Sequence, residues 1–541
     1  MGVILPVSHQ SPLPSTIIRT EAPGPEAIEL DVVIVGAGPA GLACAIQLAR
    51  ANPELAIGVL EKATALGEHI LSGASINPVA IRRLFPDVDV SDFPFRQEAT
   101  AEAVYYLSES RATRVPTPPT MRNHGNYIAS LSEVVRWMGE KAEELGINIF
   151  PGFPVESLLV DGERVIGVRT TASGLDRESQ PTDVYGEPTE LTAKVVVLAE
   201  GTRGPLAQAW CKWRDVGSEN PQIFALGVKE VWDVARPLDR VIHTMGWPLP
   251  PSVFGGSWCY PMGPNQVSIG LVAGLDYHDA SFDVHESMQR MKLHPLFRGI
   301  LEGGTMVEWG AKTIPEGGFY AIPSRLSGHG LMMIGDTAGF VDVPSLKGVH
   351  YAMESGMLAA DAIASALADG GNGDASRLAP YDAAIRASYI TSDMRRTRNM
   401  RLGFKDGFMT GAVKAGLMTL TGGAFPGGKI AMGEDAAAPR TPGHQVPFVP
   451  DNVLTFSKVD AVFKSGNSTR DSIPSHLIVG KDITGEVADF YAHLCPAGVY
   501  ERDGDRLVVN APNCVDCKAT DVVGPRWTPR EGTSGPHYRL M

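Results

Sequence analysis

Three glycines in the run Gly36-Ala-Gly-Pro-Ala-Gly41 stand at the spacing that lets a backbone fold around a pyrophosphate. Gly36 permits a tight turn, Gly38 lets phosphates approach the main chain, and Gly41 lets a helix lie close to a strand. Glu61, twenty positions past Gly41, suits the hydroxyls of an adenosine ribose. The second concentration of chemistry is sulfur. Cys44, Cys211 and Cys259 are scattered, and Cys44 reads as a small buried filler, whereas Cys495, Cys514 and Cys517 crowd the last tenth of the chain. Six cysteines in 541 residues do not make a secreted disulfide framework. They point to a reducing compartment and a C-terminal metal or cluster site.

The elements that must position these groups can be read around them. Asp31–Val35 is a β-branched run, apolar after its first residue, as expected of a buried parallel strand. It runs into the glycines, then into a helical stretch, Leu42–Ala51, and a second apolar run, Ala56–Leu60, that ends at Glu61. This is βαβ order. Helical periodicity returns at Leu131–Leu145, closed by Gly146, and strand-like pieces follow at 155–160, 164–170 and 191–198. Residues 222–275 alternate as strands do, which predicts a second, sheet-based domain. Leu331–Ile334 returns to the main sheet, followed by Gly335-Asp336 and a long helix after Lys347-Gly348. Two stretches favour FAD over NAD. Val195–Leu198 with Ala199-Glu200-Gly201 reads as a strand on the adenosine side, and Asp336 is placed to hold a ribityl chain. The helix after Pro344 would aim its N-terminus at the flavin pyrimidine and stabilise negative charge there. No second G-x-G-x-x-G unit is present, so no dedicated NAD(P)H domain is expected.

Length predicts several domains, and 44% hydrophobic with 20% charged residues is a globular composition. A net charge of −14 argues against nucleic acid as a partner, although Arg395, Arg396, Arg398 and Arg401 make a local basic patch. The Pro- and Ser-containing leader, with Arg19 its only Arg or Lys, lacks the pattern of a signal peptide or presequence and reads as a flexible extension. No apolar run is long enough for a transmembrane helix.

From about residue 30 onward the chain resembles the electron-transfer flavoprotein:ubiquinone oxidoreductase family. The resemblance rests on DVVIVGAGPAGLACA (31–45), LEKATALGEHILSGASINP (60–78), NHGNYIASLSEVVRWMGEKAEELGINIFPG (123–152), ALGVKEVW (225–232), GWPL (246–249) and GGSW (255–258). It continues through GFVDVPSLKGVHYAMESGMLAAD (339–361), LTFSKVDAVF (454–463), CPAGVYE (495–501) and NAPNCVDCKATD (510–521). It implies an α/β fold: a doubly wound, glutathione-reductase-like FAD-binding domain interleaved with a β-sheet quinone or substrate domain, plus a small C-terminal ferredoxin-like cluster domain. The implied division is a leader at 1–29; an FAD domain from 30–80, 122–205 and 325–370; a quinone or substrate domain from 81–121 and 206–324; a helical segment with a candidate membrane contact at 371–435; and an iron–sulfur domain at 436–541. The FAD contacts fall on Gly36, Gly38, Gly41, Glu61, Ser72, Gly73 and Asp336, with Lys62, Gly201, Gly335, Lys347 and Gly348 as further candidates. Quinone contacts fall on Gly255 and Gly256, and cluster ligands on Cys495, Cys514 and Cys517. Reduced electron-transfer flavoprotein would be the donor and ubiquinone the acceptor, at the surface of an inner membrane reached from the cytoplasm. The flavin would carry the chemistry, and no catalytic acid or base is nominated.

The sequence departs from the family at the sulfur site. In Cys514-Val-Asp-Cys517-Lys-Ala-Thr520, threonine stands where the resemblance places a fourth cysteine. A [3Fe-4S] cluster on three cysteines, a [4Fe-4S] cluster completed by Asp516, Asp521 or water, zinc on three cysteines and His493, and cysteines that are mere remnants are the alternatives. The segments expected to meet a membrane are weak as well. Val104–Met121 carries Arg111 and Arg114, and 407–428 has only Phe408 and Phe425 as aromatics, so a buried helix or loop explains the latter as well as an interfacial one. Two other readings therefore stand beside electron transfer to quinone: a cluster-deficient flavoenzyme acting on a small molecule, and a scaffold that keeps flavin as a structural ligand.

Overall fold

The architecture is that of a computed structural model describing residues 2–443 and 446–541. Its larger sheet is built where the sequence is most β-branched. Ile28–Val35 lies between two parallel neighbours, Glu190–Leu198 and Ile57–Glu61, and Asn148–Pro151 continues the parallel run beyond the latter. Leu331–Met333 also joins Glu190–Leu198 in parallel. The inner residues Val32, Val33 and Ile34 have no exposed surface, which is why their run is apolar rather than alternating. On the other side, Val155–Asp161 and Arg164–Thr170 form an antiparallel hairpin.

Two helices cover this sheet beside the glycine loop. Pro39–Ala51 begins with Gly38 in extended conformation and proline at its first turn. It packs on Val349–Leu367 at very short range, because a Cβ at Gly356 would strike the Ala40 carbonyl oxygen. Helix Leu131–Glu143 is capped by Ser130, whose Oγ accepts from the Glu133 N–H at 3.3 Å.

The second sheet has seven strands. In spatial order they are Thr305–Pro315, Phe224–Asp233, Gln266–Gly274, Gly255–Pro261, Val241–Gly246, Glu102–Leu107 and Ala112–Val115. The last two come from the Pro-rich region between the parts of the first sheet, so the two sheets are interleaved in sequence. The C-terminal region is small: helix Gly485–Leu494, the hairpin Tyr500–Asp503/Arg506–Val509, and short helix Ala519–Val523.

The leader differs from the expected flexible extension. Ile18–Arg19 pairs in parallel with Leu158–Leu159, and Ile4 exchanges both main-chain hydrogen bonds with Arg440. Ile4 and Ile17 are buried, so the segment gains apolar burial and sheet bonds that its Pro- and Ser-containing composition did not advertise. Among the described residues no helix is long and apolar enough to cross a membrane.

Candidate functional site

The glycine loop, the second sheet and the C-terminal region share one cavity of about 1100 Å³. Gly36 has φ +109° and lies so close to Ala199 O that a side chain could not be added. A Cβ on Gly41 would strike Gly36 O, so that glycine lets the helix meet the strand. Gly38 differs: its missing side chain leaves open space toward the cavity, with only the Ile70 side chain 3.7 Å from an added Cβ. No side chain caps the helix that begins at Pro39 or the one that begins at Val349. Both N-termini therefore offer free N–H groups and positive dipole ends to the same cavity, which suits an anionic dinucleotide. Glu61 closes the loop, its carboxylate accepting from Ala37 N at 3.1 Å and Ala63 N at 2.9 Å.

Ser72, Gly73, Gly201, Asp336, Lys347 and Gly348 also line the cavity. Gly335 does not. Its N–H donates to Ser355 Oγ at 2.9 Å and its α-carbon packs against Ala40, so it shapes the wall from behind. Burial pushes the Asp336 carboxyl up to about 6, with Lys312 opposing the shift, and burial brings Lys347 down to about 8. Lys62 lines the cavity too, with its Nζ 2.6 Å from Asp516 Oδ2 and 5.0 Å from the centre of the Trp527 ring.

Gly255 and Gly256 form part of the wall where Gly255–Pro261 runs between two strands. Neither position has room for a side chain, since a Cβ on Gly256 would lie 2.6 Å from Thr244 O and one on Gly255 would strike Val272 O. From there the lining continues to Phe404, Phe408, Ala412, Gly416 and Leu420. These belong to, or precede, helix Phe408–Leu420, which buries only Gly411 and Met418 and leaves Met409 73%, Val413 62% and Leu420 84% exposed. The alternative of a buried helix is thereby corrected: the helix has an outward apolar face.

At the sulfur site Cys495, Cys514 and Cys517 are all buried. Burial, then Cys495 and Cys514, push the Cys517 thiol well above its ordinary range, and burial, with Asp516 adding to it, pushes Cys514 up to about 12. The three thiols thus converge. The loop between them reverses direction through Asp516 at φ +54° and Lys518 at φ +63°. Among the described residues, the ligand atoms that all lie within 4.8 Å of one another belong to His476, Cys514 and Asp516, not to the cysteine trio. A single tetrahedral zinc would draw its sulfurs to about 3.8 Å, so the wider spacing of the trio suits a multi-iron cluster better than one zinc ion. His493 Nδ1 meets Asp489 O at 2.8 Å.

Both carboxylates considered as a fourth ligand are engaged by other partners. Asp516 bonds Lys62, Trp527 Nε1 and Arg530; burial would raise it, but Arg530 and Lys62 outweigh that and hold it well below the usual range. Asp521 is held between Arg203 and Arg526, at 2.8 and 3.1 Å. Thr520 turns its hydroxyl to Tyr500 Oη at 3.4 Å. Three buried thiols are gathered here, and the position after them carries a threonine hydroxyl instead of a fourth.

Comparison with known proteins decides the lineage. A relative from Arabidopsis thaliana, the mitochondrial electron transfer flavoprotein-ubiquinone oxidoreductase, is 38% identical over 95% of this chain and 85% of its own length. The Pseudomonas aeruginosa enzyme of that name is also 38% identical, over 95% of this chain and all of its own. The chain belongs to the electron transfer flavoprotein-ubiquinone oxidoreductase family. Two models of this family match parts of it: the ubiquinone-binding region at residues 224–314 and the 4Fe-4S region at 452–539. A Thi4 family model matches 24–106. Among solved structures, a geranylgeranyl bacteriochlorophyll reductase-like protein from Thermoplasma acidophilum superposes with TM-score 0.58 at 18% identity, over 74% of this chain and 96% of that one. That likeness concerns the fold alone.

The family resemblance gave no notice of several residues on the cavity wall. Lys312 and Lys518 line it; burial brings them to about 8 and 7, and each feels repulsion from Lys62. Lys518 donates to Thr202 O at 3.0 Å and lies over the Trp527 ring. Lys518 adjoins a cysteine motif whose residue types point to sulfur chemistry, and nothing local marks Lys312 as facing a cavity.

Proposed function

We propose that this chain accepts electrons from reduced electron-transfer flavoprotein and delivers them through FAD to ubiquinone at a membrane surface. The observation that carries this reading is the continuity of one cavity from the Gly36–Gly41 loop, past Gly255 and Gly256, to the exposed apolar helix Phe408–Leu420. FAD supplies the ability to hold one or two electrons. The chain's own part is positional. Gly38 and the two uncapped helix ends receive the pyrophosphate and the pyrimidine, Glu61 and Asp336 take the ribose and ribityl hydroxyls, and Lys312 and Lys518 favour an anionic ligand. Cys495, Cys514 and Cys517 hold a cluster with an incomplete ligand set, of [3Fe-4S] type or as an incompletely occupied [4Fe-4S] centre.

Anaerobic turnover with reduced electron-transfer flavoprotein and a short-chain ubiquinone tests the proposal, alongside iron and acid-labile sulfide per FAD. Quinol formation with less than four irons per flavin is expected. No quinol formation, with turnover of a soluble metabolite instead, would replace it by the small-molecule reading, which Thr520 favours by weakening the cluster relay.

A further inference from the structure

We propose that Tyr260 and His243 form the proton-delivering pair for the two-electron acceptor bound in the cavity; this rests on the quinone reading above. Gly255–Pro261 is a strand, so Gly256, Trp258 and Tyr260 project to one face. His243 on the neighbouring strand lies opposite Trp258 in register and joins that row. Both His243 and Tyr260 line the cavity, although the residues are only 3% and 4% exposed. Tyr260 Oη lies 3.3 Å from His243 Nε2 and 3.4 Å from Nδ1, and the rings meet edge to face at 5.2 Å. On its other side the Tyr260 ring borders the flavin wall: a Cβ added to Gly73 would sit 3.9 Å from Tyr260 Cε2. One hydroxyl backed by one imidazole thus stands between the residues assigned to the flavin and those assigned to the quinone.

Proton accounting gives the pair its task. Quinol formation consumes two electrons and two protons. Reduced flavin in its anionic form, which the helix end at Val349 favours, yields two electrons and one proton. One proton must come from the protein. Tyr260 gives its phenolic proton to a quinone oxygen, and the His243 N–H passes its own proton to the phenolate oxygen. In the same step the imidazole takes up a solvent proton at its other nitrogen, so it remains neutral throughout and no imidazolate forms. Burial, reinforced by the Lys347 ammonium, brings the His243 imidazole down to about 3, so it rests neutral and can relay rather than trap the proton. Burial also keeps the Tyr260 phenol protonated, pushing it well above its ordinary range.

Tyr260→Phe and His243→Gln test this with flavin content as the check on folding. Each variant is reduced by donor and oxidised anaerobically by a short-chain ubiquinone or by ferricenium, which takes one electron and no proton. Tyr260→Phe should lose roughly a hundredfold in quinone turnover, with ferricenium turnover within about twofold of the parent. The solvent deuterium effect on the parent's quinone rate should fall away in the variant. Equal losses with both acceptors, or no loss with either, overturn the pair. Absence of quinone reduction in the parent itself would overturn the quinone reading and the pair together, and is seen before any variant is made.

Discussion

Gly38 is the glycine in the nucleotide loop whose missing side chain faces open space rather than protein. Its backbone, at φ −78°, suits any residue, so Gly38→Val should fold and yet fill the place where phosphates meet the main chain. Purified Gly38→Val should carry little FAD, measured by absorbance against protein; a full complement would show that the pyrophosphate lies elsewhere. Thr520 is the opposite case, a position that lacks a needed atom. A threonine hydroxyl is neutral near pH 7 and a weak ligand for iron, whereas a thiolate is soft and anionic. Thr520→Cys should therefore raise iron and sulfide after anaerobic reconstitution and bring up a [4Fe-4S]⁺ EPR signal that the parent lacks. A stoichiometric signal from the parent would mean that another group completes the cluster. The glycine spacing and the missing cysteine were both legible in the sequence, because each is a local pattern with one chemical meaning. The engagement of Asp516 and Asp521 by distant arginines and a lysine was not, because those partners are brought in only by tertiary packing.

Strands and helices with a burial rhythm were legible in the same way. Val32–Val35 reads as buried on both faces, and is; 222–275 reads as alternating strand and does form strands, although Phe224–Asp233 is buried along all but its last residue. The leader was not legible, since its pairing with Leu158–Leu159 and Arg440 is made by main-chain groups that leave no mark on composition. Helix Phe408–Leu420 was ambiguous for a related reason: an apolar helix reads alike whether protein or lipid covers it. Its exposed face predicts that Leu417→Glu with Leu420→Glu should abolish flotation with anionic liposomes while leaving flavin content unchanged. Strand Phe224–Asp233 carries a different burden. Lys229 on it is fully buried, without a hydrogen-bond partner, and burial brings it down to about 7 despite Glu308. Because the folded value lies below the unfolded one, the unfolded chain holds more protons between about 7 and 10.5, and folding stability rises with pH across that window. Lys229→Met should remove the rise. Its thermal midpoint should exceed the parent's clearly at pH 6 and by much less at pH 9.5, and an equal gain at both values would contradict a titrating Lys229.

Asp516 joins the parts into one molecule. It lies in the cluster loop, yet it binds Lys62 of the nucleotide unit, and its carbonyl accepts from Lys312 of the second sheet. Asp516→Asn would leave Lys62 and Arg530 facing a neutral partner in a buried place, at a cost of about 3–5 kcal/mol. Calorimetry should show a lower unfolding midpoint, and a midpoint unchanged from the parent would remove Asp516 from this role. The shared cavity also sets a timetable. Its lining begins at Val35 and is completed by Trp527 and Pro529, about 490 residues later. At about 5–20 residues per second, roughly half a minute to a minute and a half separates the first wall from the last during synthesis. The nascent chain therefore spends that interval with a glycine loop whose pocket has no closing side, and a product that stops short of Trp527 never acquires one. A chain cut before Trp527 should therefore carry less FAD than the full polypeptide, measured by absorbance against protein.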